Sequence, residues 1–268
     1  MRRVVVVHEN RPPSTVTTQL VGALRAGGVD VALLRAGERP FSVSEADVQD
    51  TLYVLRHADE SALTIGALLH DAGARTLNPY PAVATCRDKA ATAARLAAAG
   101  LPVPEGWFVA EPGGIGDLLD GGAVIVKPNR GSKGTGVTVV GNAAELGAVA
   151  GNDGPFLVQR YHRPEGLDRK LYRIGDDVFC VGRRFPVATA ADKQGALLNV
   201  DDKLRRIAIG VGEAIGIDIF GADVVYSGGR PWLVDVSSFP GFKGVPDAGR
   251  LLADRIAAAI NHDVEVCS

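Results

Sequence analysis

The sequence predicts two architectures in one chain: a doubly wound parallel α/β sheet over roughly the first 85 residues, then α+β structure with antiparallel strands. Three observations predict it. β-branched runs alternate with stretches of helical periodicity up to Leu77, a proline-marked linker follows at Pro102 and Pro104, and beyond Val124 strand-like runs follow one another through glycine-rich turns.

Val4–Val7 reads as a buried strand, and after a polar, proline-containing loop Val16–Arg25 is helical, closed by Gly27-Gly28. Val29–Leu34 and Thr51–Leu55 are the next strands, Ala62–Asp71 a helix ending at Gly73, and Ala74–Leu77 a short fourth strand. The first strand runs into His8-Glu9-Asn10-Arg11-Pro12-Pro13 and not into a glycine-rich turn, so this sheet lacks the dinucleotide fingerprint. His8-Glu9-Asn10 stands at the carboxyl edge of the strands, where open α/β sheets bind ligands, and has two readings: a contact to the acceptor or a satisfied loop histidine. An alanine-rich helix spans Asp88–Ala99, with strands at Trp107–Val109, Val124–Lys127, Val137–Val140 and Phe156–Gln159 and a short helix at Asp117–Leu119. The last third supplies strands at Leu171–Ile174, Val178–Arg183, Ala222–Tyr226 and Trp232–Val236, with helices at Lys203–Ile215 and Gly249–Ile260. The expected division is 1–85, 86–161 and 162–268.

With 29 Lys+Arg against 31 Asp+Glu the net charge is −2, which argues against nucleic-acid binding through bulk positive charge. Hydrophobic residues make up 46% of the chain, which excludes disorder as its main state. Cys86, Cys180 and Cys267 lack the paired spacing that zinc or redox chemistry needs and are expected to be reduced thiols. Val4–Val7 is too short for a signal sequence or a membrane span, so a cytoplasmic protein without a membrane partner is expected. His57, His70 and His262 lack metal-like spacing, and Trp107 and Trp232, inside strands, are expected in the core.

The richest stretch is Val124-Ile125-Val126-Lys127-Pro128-Asn129-Arg130-Gly131-Ser132-Lys133-Gly134-Thr135-Gly136-Val137. Its glycines, serine and threonine lie between two strands, where exposed N–H groups can close over an anion and Lys133 adds charge. A Walker A element is excluded, since that opens a helix. Lys127 leaves an apolar strand, where a buried cation needs an anionic partner, and Lys89 begins a helix, a place that suits a cation only beside negative charge. Asp223 and Asp235 each interrupt an apolar strand with no base next to them in sequence, a pattern suited to hard-metal ligands such as a nucleotide's Mg²⁺.

In this order the pieces resemble the ATP-grasp superfamily over Val4–Ile260. Asp88-Lys89 with Gly100-Leu101-Pro102-Val103-Pro104 is similar to that family's arginine-aspartate-lysine helix and proline linker, and Lys127-Pro128 with Gly131–Val137 to its second lysine and phosphate-covering loop. The resemblance implies an N-terminal parallel-sheet domain followed by two α+β subdomains that sandwich ATP. It further implies that Phe156–Tyr161 is the hinge strand, with backbone near Gln159 and Tyr161 at the adenine edge and Arg160 and Asp168 in the nucleotide site. Asp223, Asp235 and Ser237 would bind Mg²⁺, with serine where the family usually has asparagine.

Two branches of the family compete. Gly166–Asp176 and Cys180–Arg184 resemble both the glutamate ligases that modify ribosomal protein and the inositol trisphosphate kinases. Asp235–Gly244 leans to the kinases, and Gly131–Val137 to the ligases, although Phe185–Val200 lacks the ligases' asparagine and arginine-glycine-glycine run. The ligase reading implies an acyl phosphate consumed by an amine. In it Lys89 and Lys127 hold phosphates, Arg184 stabilises the transferred group and Lys170 stands near it. The acceptor would be a small molecule or a peptide. The kinase reading changes only the acceptor, to a polyol facing cations such as Arg11, His162, Arg163, Arg169, Arg183, Lys193 and Lys243. A nucleotide binder without turnover is the third reading, motivated by Ser237 and the missing run.

Overall fold

The computed structural model describes residues 3–9, 12–42, 44, 48–56, 59–131, 134–149, 154–184 and 194–261. The N-terminal sheet has strands β1 (Arg3–His8), β2 (Asp30–Arg35), β3 (Thr51–Leu55) and β4 (Arg75–Leu77) in the order β2-β1-β3-β4, all parallel. Helix α1 (Thr15–Ala26), capped by Ser14, covers one face through Leu20 and Leu24, and α2 (Glu60–Asp71), capped by Asp59, covers the other through Ile65 and Leu69. The chain steps from β1 to β2 on one side and from β1 to β3 on the other, which makes the β1/β3 crevice the topological switch point.

Helix α3 (Tyr80–Arg87) was not anticipated, and the expected boundary at residue 85 falls inside it. Pro81 stands in its first turn, where the missing N–H costs nothing. Helix α4 (Lys89–Ala98) follows after Asp88, whose side chain accepts from Ala91 N at 2.9 Å. A four-stranded antiparallel sheet runs β5-β8-β6-β7, with β5 (Gly106–Val109), β6 (Val124–Pro128), β7 (Thr138–Val140) and β8 (Phe156–Arg160). Its outer face packs Val124, Val126, Phe156 and Val158 against Ile115. Ile115 lies on a ten-residue 3₁₀ helix, Pro112–Gly121, in place of the three-residue helix expected at Asp117–Leu119.

A five-stranded antiparallel sheet, order β11-β10-β9-β12-β13, completes the fold: β9 (Asp168–Ile174), β10 (Asp177–Arg183), β11 (Ala196–Leu198), β12 (Ile219–Ser227) and β13 (Arg230–Ser238). Helix α5 (Asp202–Ile215) packs on one face, while α6 (Ala248–Asn261) returns to the N-terminal sheet. Leu252, Ile256 and Ile260 of α6 share one core with Val4, Val6 and Leu20. Gly249 permits this contact, since a Cβ there would lie 2.4 Å from Gln19 Cβ. Cys86 and Cys180 are buried and free, and burial pushes the Cys86 thiol up to about 12; Cys267 lies outside the described residues. Among the described residues no helix is long and apolar enough to cross a membrane.

Candidate functional site

A cleft of about 330 Å³ opens between the two antiparallel sheets. Its walls include Lys89, Lys127, Gly131, Gly134, Thr135, Gln159, Arg160, Tyr161, Asp168, Asp223 and Asp235, all named from sequence. Gly136, Lys170, Arg184 and Ser237 do not line it, and Ser132 and Lys133 lie outside the described residues.

Pairing builds the charged end. On β12 and β13 Asp223 stands directly opposite Asp235, and on β9 Lys170 stands opposite Asp223. Lys170 Nζ donates to Asp223 Oδ2 at 2.9 Å, and Lys89 Nζ, from the start of α4, donates to Asp235 Oδ1 at 3.0 Å. The acids without neighbouring bases in the sequence thus each have a lysine in space, which corrects the reading that isolated them. Burial works against the Lys170 charge, but Asp223, through its field and its hydrogen bond, holds the ammonium above its ordinary range. Asp168 is the unpaired member: its Oδ1 is buried without a hydrogen bond, and burial followed by the Asp223 charge raises its carboxyl above the usual range.

Lys127 is 7% exposed, and its ammonium donates to Gln159 Oε1 and to Val234 O, both at 2.8 Å. Both acceptors are neutral. Burial, only partly offset by Asp235, pushes this lysine down to about 8. A buried cation held by dipoles alone is a ready partner for a phosphate. Asn129 fixes the geometry between the two lysines: its Oδ1 accepts from Ala90 N at 2.9 Å and its carbonyl from Lys89 N at 3.1 Å, pinning the start of α4 to the end of β6. Arg87 Nη1 donates to Gly131 O at 3.3 Å and ties the glycine loop to α3. The loop turns through Gly134 and Gly136 at φ 74° and 72°.

Other expectations change. Arg160 sends its guanidinium away from the cleft, donating to Leu118 O at 3.0 Å and Gly122 O at 2.7 Å and lying over Trp107. The Tyr161 N–H is spent on Ala123 O at 2.9 Å, so it is not free for an adenine edge. Ser237 points its hydroxyl at Gly221 O, 3.4 Å away, on the strand pair beyond the acids. Trp107 and Trp232 are half-buried and outside the cores: Trp232 stacks on His162, ring centroids 3.8 Å apart, beside the hinge. Arg184 is exposed and follows the last residue of β10. Arg183 is the one held in place: it pairs with Asp168 in register, its Nη2 donates to Tyr172 Oη at 2.6 Å, and its Nε is buried without a partner. Asn129, Arg87, Tyr172, Arg183 and His162 are site residues that sequence reasoning missed or left in a general list.

Among the described residues no three His, Cys, Asp or Glu side chains form a metal cage. Two opposed carboxylates with a third nearby fit Mg²⁺, which takes one or two carboxylates and completes its shell with phosphate and water.

Residues 86–260 match the RimK-like ATP-grasp domain. The chain belongs to that family. Among curated relatives it is 29% identical over 198 residues to a probable alpha-L-glutamate ligase of Marinomonas sp. (strain MWYL1), covering 66% of this chain and 63% of that one. It is 30% identical over 190 residues to one of Marinobacter nauticus, again 66% and 63%. The matched part thus spans just under two thirds of these relatives. The fold of a RimK domain ATP-grasp protein from Sphaerobacter thermophilus superposes with TM-score 0.76 at 20% identity, covering 95% of this chain and 99% of that one. D-alanine–D-alanine ligase from Bacillus anthracis, complexed with ATP, gives 0.72 at 15% identity over the full length of both. The ligase PsnB, complexed with a minimal precursor, Mg and ADP, gives 0.72 at 18% identity and 97% of each chain. The ATP-grasp fold expected from the motifs is the fold of this protein, and of the two branches the ligase side is the one its relatives occupy.

Proposed function

We propose that the protein is an ATP-dependent carboxylate-amine ligase that binds Mg-ATP in the cleft and joins a carboxylate to an amine on a small molecule or a peptide. The observation that carries this reading is Lys127, a buried cation with only neutral protein acceptors at 2.8 Å, in the cleft that Asp223 and Asp235 also line. Lys127 and Lys89 take the phosphates, and the Gly131–Gly136 loop, tied down by Arg87, covers them and excludes water. Asp223 and Asp235 would hold Mg²⁺, which would supply neutralisation of the phosphate charge when bound. Lys89 and Lys170 pair with the same carboxylates and hold them in place until then.

The acceptor carboxylate attacks the γ-phosphorus, the bond to the β-phosphate oxygen breaks, and ADP leaves. The amine then adds to the acyl phosphate carbonyl, loses a proton and expels phosphate. Arg183, anchored by Tyr172, takes the role that sequence alone gave to Arg184, because it is the one whose fork is fixed beside Asp168. PsnB is complexed with a precursor and the curated relatives are named as glutamate ligases, which supports a peptide or amino-acid acceptor.

The test quantifies ADP and free phosphate in parallel, with Mg-ATP and pools of carboxylates and amines. Equal release that needs both an acid and an amine, and that Asp235→Asn abolishes, is expected. ADP whose phosphate stays on an acceptor would replace the ligase with a kinase.

A further inference from the structure

The carboxyl edge of the N-terminal sheet carries a row of basic side chains that the nucleotide site does not use. In register, Arg35 ends β2 beside His8, which ends β1, and Val7 pairs with Leu55, so Arg56 follows β3 on the other side of His8. Adjacent strands are about 4.8 Å apart, and residues in register share a face. His8 and Arg56 therefore stand side by side at the β1/β3 switch point, where open α/β sheets take their ligands.

Neither is satisfied there. Arg56 is 8% exposed, donates from Nη1 to Phe239 O at 3.0 Å, lies over the Phe239 ring, and has a buried Nε with no partner. His8 is 3% exposed, and its Nε2 is likewise buried without a partner. Glu38 neutralises Arg35 at 3.1 Å, and Glu9 lies near enough to support the Arg56 charge, yet burial still pulls that guanidinium down to about 10. Burial, then the charges of Arg35 and Arg56, lower the His8 imidazole below its ordinary range, with Glu9 and Glu38 acting in the opposite direction. A buried arginine whose fixed partner is one carbonyl is costly unless an anion completes it. A chain of buried rings links the row to Arg183: Phe239 contacts Phe242, Phe242 contacts Tyr172, and Tyr172 accepts from Arg183.

We propose that Arg56 and His8 form an anion subsite for a free, non-reacting carboxylate of the ligase's amino-acid or peptide substrate. The subsite deepens the ligase reading and rests on it. The substrate class is then a carboxylate-bearing amine or a dicarboxylate, not a simple amine or an uncharged amide. Arg56 supplies the charged fork and His8 a second polar contact, while the Phe239–Phe242 turn walls the group from the phosphates.

The test titrates L-glutamate, L-alanine and acetate, and the carboxamide of each, into the full chain at constant ionic strength, with Mg²⁺ and a non-hydrolysable ATP analogue. Nucleotide affinity is measured separately in every variant, so loss of the ligase reading and loss of the subsite are distinct results. Wild type should bind at least one carboxylate saturably and discriminate against its amide. Arg56→Gln should weaken that binding by roughly tenfold to a hundredfold, the worth of a charge-assisted pair, and leave the amide unaffected. Arg56→Lys, which keeps the charge and guards against a misfolded glutamine variant, should fall between them. The subsite is overturned if wild type binds no carboxylate of the panel, if it binds acid and amide alike, or if folded Arg56→Gln with normal nucleotide affinity binds the acid as wild type does.

Discussion

The sharpest consequence of the cleft concerns the proton on Lys127. In the free protein this ammonium is held only by Gln159 and a carbonyl, and burial sets its midpoint at about 8. A bound phosphate would return it toward the ordinary lysine range near 10.4. Nucleotide binding then takes up a proton wherever the free protein has lost it. With a midpoint of about 8, apparent affinity should fall roughly 25-fold between about pH 7.5 and about pH 9.5. Stability moves the other way. Because the folded-state value lies below the unfolded one, the unfolded chain binds more protons between these values. This group therefore destabilises the free protein below about pH 8 and ceases to do so as pH rises through the window, a change of about 3 kcal/mol. A loss of affinity in alkali is thus not a loss of fold. The assay is calorimetric titration of Mg-ADP at several pH values on wild type and Lys127→Met, with thermal unfolding alongside. The variant should bind at least roughly tenfold more weakly at neutral pH, as expected for losing a charge-assisted hydrogen bond, and show little of the pH slope. A flat wild-type profile, or a methionine variant that follows the same slope, would refute the reasoning.

Two further outcomes follow from the geometry. Arg183→Ala should lower substrate-dependent ADP release by roughly a hundredfold or more, the usual cost of removing one transition-state donor, whereas exposed Arg184→Ala should leave it within about threefold. Equal losses at both positions in single-turnover measurements would count against the assignment. Asn129→Ala removes the buried acceptor that pins α4 and should cost about 1–3 kcal/mol of stability in denaturant unfolding, with weaker nucleotide binding because Lys89 loses its anchor. Unchanged values on both counts would show that Asp88 alone holds the helix.

Much of the fold was legible because the strands are β-branched runs and the helices carry strong caps. Thr51–Leu55 has the same ends in the sequence reading and in the structure. The lysines, the glycine loop and the two acids were legible as chemistry, but their partners were not. Lys170 and Asp223 meet only because β9 pairs with β12 across 53 residues of chain, information that no local pattern carries. The choice between Arg183 and Arg184 turns on strand alternation, where one residue reverses the face, and on where β10 ends. Trp232 read as core since it lies in an apolar strand; its stacking partner His162 comes from a distant loop. Helix α3 went unread because Pro81 stands in its first turn and the expected boundary at residue 85 cuts through it.

The contact of α6 with α1 through Gly249 also sets an order of events in the growing chain. The first four strands emerge from the ribosome early, yet the apolar cover that Leu252, Ile256 and Ile260 lay over Val4 and Val6 is made among the last described residues. Until then α1 alone covers that face of the sheet, so the N-terminal segment made without α6 should be less soluble than the whole chain. Because residues around Val4 and residues around Ile256 share one core, the N-terminal sheet cannot be separated from α6 without laying that core open.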